Sequence, residues 1–146
     1  MSIENPVYAD HLQGLCLCGA VGVTVGRHRA EVGACHCSRC RRWSGSAAFL
    51  FSAPEDQVTV EGPVRIWKHD IAERASCDVC GTLIWMRSHG EDYEFQVGFF
   101  DGAKDYPLIS EIYVDCAFAA VPLAGDHRRA DAATYEAKAP TTEAAP

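Results

Sequence analysis

At 146 residues the chain is long enough to bury one hydrophobic core without staples and short for two domains. Its residues are 48% apolar and 23% charged, the balance of a folded globular domain rather than a disordered or membrane chain. A formal net charge of −7 argues against a nucleic-acid partner, because phosphate binding needs a basic face.

In chain order, residues 1–13 read as an N-terminal extension. They show no basic region followed by an apolar run, so no secretory leader is expected. No stretch approaches the ~18 consecutive apolar residues of a membrane span, and no membrane partner is expected. The eight cysteines are then expected to be reduced thiols in the cytoplasm, where clustered cysteines serve as metal ligands more often than as disulfides. Runs of β-branched and aromatic residues, punctuated by Gly, Pro, Asp or Ser, predict strands at 20–25, 47–52, 57–62, 64–69, 82–87, 93–100 and 111–118. A domain over residues 14–125 is accordingly expected to be mainly β. The short helix predicted within it is "SRCRRWS", 38–44, with Ser38 as N-cap. From about residue 130 the composition turns to Ala, Thr and Pro. Residues 126–146 are expected to form a partly disordered tail with a short helix through "DAATYEAK".

Seven of the eight cysteines fall into three groups: Cys16 and Cys18; Cys35, Cys37 and Cys40; Cys77 and Cys80. A C-x-x-C pair turns both sulfurs inward, and a glycine just after it lets the backbone bend so that its N–H groups approach the thiolates. "CDVCG" (77–81) fits this rule, and "CLCG" (16–19) carries the same glycine on a tighter spacing. Two partitions are chemically open. Cys16, Cys18, Cys77 and Cys80 can form one site, leaving Cys35, Cys37 and Cys40. Alternatively, Cys37, Cys40, Cys77 and Cys80 can form one site, leaving Cys16, Cys18 and Cys35. Either way seven thiols divide as four plus three. Four thiolates close a zinc site, whereas three leave a position for water or substrate. His36, flanked by Cys35 and Cys37 in an extended segment, points away from their side and is expected to make a structural hydrogen bond. Cys116 is expected to be a small buried strand residue, and His69 and His89 carry no spacing signal.

The run "GLCLCGAVGVTV", then "CHCSRCRRWSGS", then "ERASCDVCGTLIW" resembles the glutathione-dependent formaldehyde-activating enzyme (GFA) family, which includes the centromere protein V-type domains. Order and spacing match from Gly14 to Trp85 and more loosely to about Leu123. The resemblance implies the first partition, with Cys16, Cys18, Cys77 and Cys80 holding a structural zinc and Cys35, Cys37 and Cys40 a catalytic one. It implies a β-tent fold, small antiparallel sheets tied by the structural zinc. The implied activity is that of a carbon–sulfur lyase, joining a small thiol, glutathione, to an aldehyde, formaldehyde, as S-(hydroxymethyl)glutathione. Three cysteines suit such a substrate, since a zinc they hold can take the incoming thiol as fourth ligand and lower its pKa. Three thiolates leave that zinc with about one negative charge, so cations nearby would help. Arg39, Arg41 and Arg42 supply them, and Arg41, Arg42 and Trp43 are the expected contacts to the thiol substrate. The chain departs from the family pattern at "EIYVDCAFAAVPL", which has Glu111 where a histidine is usual and lacks a Trp. The readings that compete with a lyase are a zinc-stabilised binding module without catalysis and a redox sensor in which two of Cys35, Cys37 and Cys40 form a disulfide.

Overall fold

Buried and more exposed positions alternate in β2 (Leu12–Leu15), where Leu12 and Gly14 turn inward, and in β3 (Gly22–Val25), where Val23 and Val25 do, so each strand offers one face to a core. A computed structural model describes residues 5–138. In it β2, β3 and β7 (Val58–Glu61) form an antiparallel three-stranded sheet, with Val23 opposite Val60 and Val25 opposite Val58. Two short strands, β1 (Tyr8–Ala9) and β4 (His28–Arg29), pair separately.

The remaining strands make one eight-stranded sheet. They are β5 (Val32–Cys35), β6 (Ala48–Ala53), β8 (Val64–Lys68), β9 (Ala72–Cys77), β10 (Leu83–Ser88), β11 (Tyr93–Gln96), β12 (Leu108–Ile112) and β13 (Arg128–Ala130). Their spatial order is β13-β12-β5-β6-β11-β10-β9-β8. Most neighbours are antiparallel, but β12 runs parallel to both β5 and β13. The mainly β expectation therefore holds, with two small sheets beside one large one. Helices are confined, among the described residues, to α1 (Ser38–Ser44), α2 (Ala132–Lys138) and short 3-10 turns. No helix is long and apolar enough to cross a membrane among the described residues.

The main core lies between the two larger sheets. Val23 and Val25 of β3 face Phe51 of β6, Phe95 of β11, Trp85 of β10 and the neighbouring Phe100. The aromatic rings meet edge-on, Phe51 to Phe100 at 5.2 Å and Phe95 to Phe100 at 5.4 Å, the arrangement that ring quadrupoles favour.

Several local expectations change. The run 93–100 is a strand only to Gln96 and then turns as 3-10. The strand expected at 111–118 stops at Ile112, because Tyr113 adopts a left-handed backbone (φ 59°) and a 3-10 turn follows. The Tyr113 ring is thereby buried against Cys37, Cys40 and Tyr135. Cys116 falls in that turn and is exposed, not a buried strand residue. The N-cap of α1 is Cys37 rather than Ser38: its Sγ accepts the Cys40 backbone N–H at 3.4 Å. In the segment expected to be a tail, β13 joins the large sheet and α2 packs beside Tyr113. The expected loose end of that tail falls in 139–146, outside the described residues, as do residues 1–4.

Candidate metal centres

The turn after β2 and the turn after β9 each place two cysteines at one point where the three-stranded and eight-stranded sheets meet. The sulfurs of Cys16, Cys18, Cys77 and Cys80 all lie within 4.8 Å of one another. Cys16 to Cys18 is 3.6 Å and Cys18 to Cys77 is 3.8 Å. These separations are too long for a disulfide, whose sulfurs bond at about 2.05 Å. They match the edge of about 3.8 Å expected for a tetrahedron with Zn–S bonds of about 2.3 Å.

The trailing glycines do what the motif requires. Gly19 (φ 79°) and Gly81 (φ 78°) both take left-handed conformations that a side chain would strain. Each closes its turn by donating a backbone N–H to the first cysteine's carbonyl, Cys16 at 3.0 Å and Cys77 at 2.9 Å. The same turns aim other N–H groups at sulfur: Val21 donates to Cys16 Sγ (3.2 Å) and Val79 to Cys77 Sγ (3.4 Å). Thr82 links the two halves, since its hydroxyl accepts the Leu17 N–H and also contacts Cys80 Sγ at 3.1 Å. That hydroxyl, followed by the Thr82 backbone N–H, holds the Cys80 thiol down to about 5. Four converging sulfurs, ringed by donors that stabilise thiolate, fit a zinc ion.

The second centre is built from β5 and α1. Cys35 ends the strand, Cys37 caps the helix and Cys40 lies in its first turn, which brings all three sulfurs within 4.8 Å. Cys37 and Cys40 are buried and Cys35 half-buried. Hydrogen bonds from Cys35 and then Cys40, with backbone N–H groups of Cys40 and Arg39, outweigh burial and hold the Cys37 thiol at about 2. Cys35, which gives its hydrogen to Cys37 and Cys40, is pushed far above the ordinary thiol range, and burial adds to this. Contact with Cys35 lowers Cys40, but Cys37 and burial more than offset it and push Cys40 up to about 12, against the pull of the Arg74 charge. One thiol ionises at its neighbours' expense. Such a set loses all three protons only when a cation sits among them, which is the donor chemistry of a zinc site. No fourth ligand atom joins this group within 4.8 Å among the described residues, and Cys116 stands outside it.

His36 lies between two of these sulfurs with its ring turned the other way, as strand alternation predicts. Its Nε2 bonds Glu111 Oε1 at 2.8 Å in a buried setting. The other oxygen of Glu111 accepts from His127 Nε2 and from Arg129 Nε (3.0 Å). Arg129 in turn donates to the carbonyls of Leu123 (2.9 Å) and Gly125 (2.8 Å). Glu111 is therefore the hub that fastens β13 to the second centre. Sequence reasoning marked Glu111 only as a departure and missed His127 and Arg129. No short-range spacing links those residues to Glu111.

Of the expected substrate contacts, Arg42 and Trp43 line a cleft of about 510 Å³ beside α1. Arg41 lies elsewhere, its guanidinium 4.8 Å above the Phe118 ring. Opposite α1 the cleft is walled by Arg65 and Trp67 of β8 and Arg74 of β9, residues the sequence did not single out. His69 and His89 serve the edge hairpins, with His89 Nε2 bonding the His69 carbonyl at 2.9 Å.

Comparison with known proteins agrees with this geometry. A curated relative, an uncharacterized lyase of Schizosaccharomyces pombe, is 26% identical over 108 residues, covering 70% of this chain and 78% of the relative. A crystal structure of a Rhodobacter sphaeroides protein superimposes with a TM-score of 0.55 at 23% identity, covering 66% of this chain and 99% of that one, and so shares the fold. The sequence pattern of the glutathione-dependent formaldehyde-activating enzyme family matches residues 11–116, both cysteine centres included. The chain belongs to the glutathione-dependent formaldehyde-activating enzyme (GFA) family.

Proposed function

We propose that the protein is a zinc-dependent carbon–sulfur lyase of the cytoplasm, acting on the adduct of a small thiol and an aldehyde. In the reaction named for the family, the thiol is glutathione, the aldehyde formaldehyde and the adduct S-(hydroxymethyl)glutathione. The observation that carries this reading is a buried cluster of three sulfurs with no fourth, one helical turn from a cationic cleft.

Cys16, Cys18, Cys77 and Cys80 would hold a structural zinc, and Cys35, Cys37 and Cys40 a second zinc. When bound, that second zinc supplies a Lewis acid with an open position, which lowers the pKa of a substrate thiol toward neutrality. In the synthetic direction the thiol sulfur bonds to the aldehyde carbon, the carbonyl π bond opens and the thiol proton ends on the oxygen. No electrons change hands, so the chemistry calls for no redox partner. The chain's own groups bind and orient. Arg42 and Trp43 stand where they can hold the thiol's non-reacting end, and Arg74 sets a positive charge beside Cys40. His36 is committed through Nε2 to Glu111 and so positions Cys35 and Cys37 rather than moving a proton at the reacting atoms.

The test is a single substitution. Cys37→Ala should reduce exchange between glutathione and its hydroxymethyl adduct, followed by NMR, to the uncatalysed rate, while the protein keeps about one bound zinc. Exchange at the wild-type rate in that variant would overturn the assignment.

A further inference from the structure

The cleft beside α1 gathers four arginines and two tryptophans in a chain of net charge −7. On α1, Arg39, Arg42 and Trp43 lie three and four residues apart and so share one side of the helix. On the sheet, Arg65 and Trp67 are two apart on β8, and Trp67 pairs directly with Arg74 on β9, which places all three on one face. The two surfaces meet where the Arg74 guanidinium sits 4.9 Å over the Trp43 ring. No Asp or Glu among the described residues lines the cleft. Arg65 is exposed, and neither it nor Arg42 forms an ion pair with any described residue; Arg42 donates only to the Ser38 carbonyl of its own helix (3.2 Å). Trp67 is 59% exposed on an edge strand, with its ring stacked on His69 at 4.7 Å. A large aromatic held in that way forms a wall, not a piece of core.

Guanidinium groups on two facing elements are suited to anions, because each can present paired N–H donors to a carboxylate or phosphate. Trp43 follows Cys40 by one helical turn, so their Cβ atoms are separated by only about 5–6 Å. None of the three cysteines lines the cleft, but Trp43 and the Arg74 charge that acts on Cys40 bring the cleft within reach of a ligand whose sulfur sits at that centre.

We propose that the α1/β8–β9 cleft is the substrate's anion site, with Arg42 and Arg65 as its two open cationic arms and Trp67 as its wall. On this assignment the enzyme selects thiols whose non-reacting end carries carboxylate or phosphate over neutral thiols. The proposal rests on the lyase reading for the identity of its ligand, but the cleft can be tested without turnover.

The binding probe is S-methylglutathione, which keeps both carboxylates but has no thiol proton to lose. It is titrated into the zinc-loaded protein by calorimetry at low salt, beside its diethyl ester and inorganic phosphate. The acid should bind at least tenfold more tightly than the ester. Arg65→Ala and Arg42→Ala should each weaken the acid about tenfold and leave the ester unchanged, with the difference shrinking at high salt. Phosphate competing more strongly than the acid would identify a phosphorylated thiol as the substrate and support the site. Equal binding of acid and ester, or unchanged affinity in both arginine variants, would overturn it. Thiol–aldehyde exchange measured in parallel separates the two readings. Catalysed exchange of glutathione with KM unchanged in Arg65→Ala would remove the anion site and leave the lyase standing. Arginine-dependent binding of S-methylglutathione without exchange of any thiol would remove the lyase and leave the cleft as a binding site.

Discussion

Glu111 is the residue that ties β13 to the segment bearing His36. Its carboxylate is buried and takes hydrogen bonds from His36, 75 positions earlier, and from His127 and Arg129 after it. Burial raises its pKa, but the bonds from His127 and then His36 outweigh that and hold it below the ordinary carboxylate range. A group depressed in the folded state contributes stability above its unfolded pKa and loses it as pH falls through the folded value. Glu111→Gln should therefore lower stability by about 1.5–3 kcal/mol near neutral pH, the worth of charge-assisted hydrogen bonds. The gap between wild type and variant should narrow as pH drops below about 4, near the unfolded carboxylate value. Urea unfolding at a series of pH values measures this, and a gap independent of pH would contradict the role. In the sequence Glu111 was visible only as an oddity. Its partners lie on β5 and β13, and a hydrogen bond between distant segments leaves no local pattern. The N-cap of α1 escaped for a different reason: the helix starts at Ser38 itself, so the cap falls one residue earlier, on a cysteine whose sulfur accepts the Cys40 N–H.

At the scale of elements, the two cysteine turns act as one fastening. The Cys16/Cys18 turn belongs to the three-stranded sheet and the Cys77/Cys80 turn to the eight-stranded one, so a metal there joins the two layers that enclose the Phe51–Phe95–Phe100 core. Cys77→Ser should leave the protein largely insoluble, or lower its Tm by roughly 10 °C or more, because metal binding at a closed site is folding free energy. A soluble variant with wild-type Tm by calorimetry would contradict a structural role. The second centre has one fewer cysteine than the first. Mild chelation should then release about one metal equivalent before circular dichroism changes. Simultaneous loss of both metals with unfolding would indicate two closed sites. These elements were legible to unequal degrees. The cysteine groups could be read because ligand spacing is set within a few residues, and β3, β6, β7, β8 and β10 because their β-branched or aromatic runs are equally local. The strands β1, β4 and β13 are two or three residues long and carry no period. The parallel pairing of β12 with β5 and β13 joins segments distant in the chain, which its own sequence does not mark.

Across the whole molecule, charge is distributed to match the proposed chemistry. A chain of net charge −7 gathers arginines from α1, β8 and β9 beside three sulfurs that together would make a zinc site negative. The arginines of α1 could be flagged from their adjacency to Cys40, whereas Arg65 and Arg74 could not, because only strand register brings them there. On the proposed reading, one metal is fully enclosed by cysteine while the other keeps a place for a substrate thiol. X-ray absorption at the zinc edge on protein carrying two zinc ions per chain reads this directly as the mean number of sulfur neighbours. Four sulfurs at one site and three at the other give about 3.5 per zinc, rising to about 4 when glutathione is added, with Zn–S near 2.3 Å throughout. A value of about 4 before any thiol is added, or one that glutathione does not change, would contradict an open catalytic position.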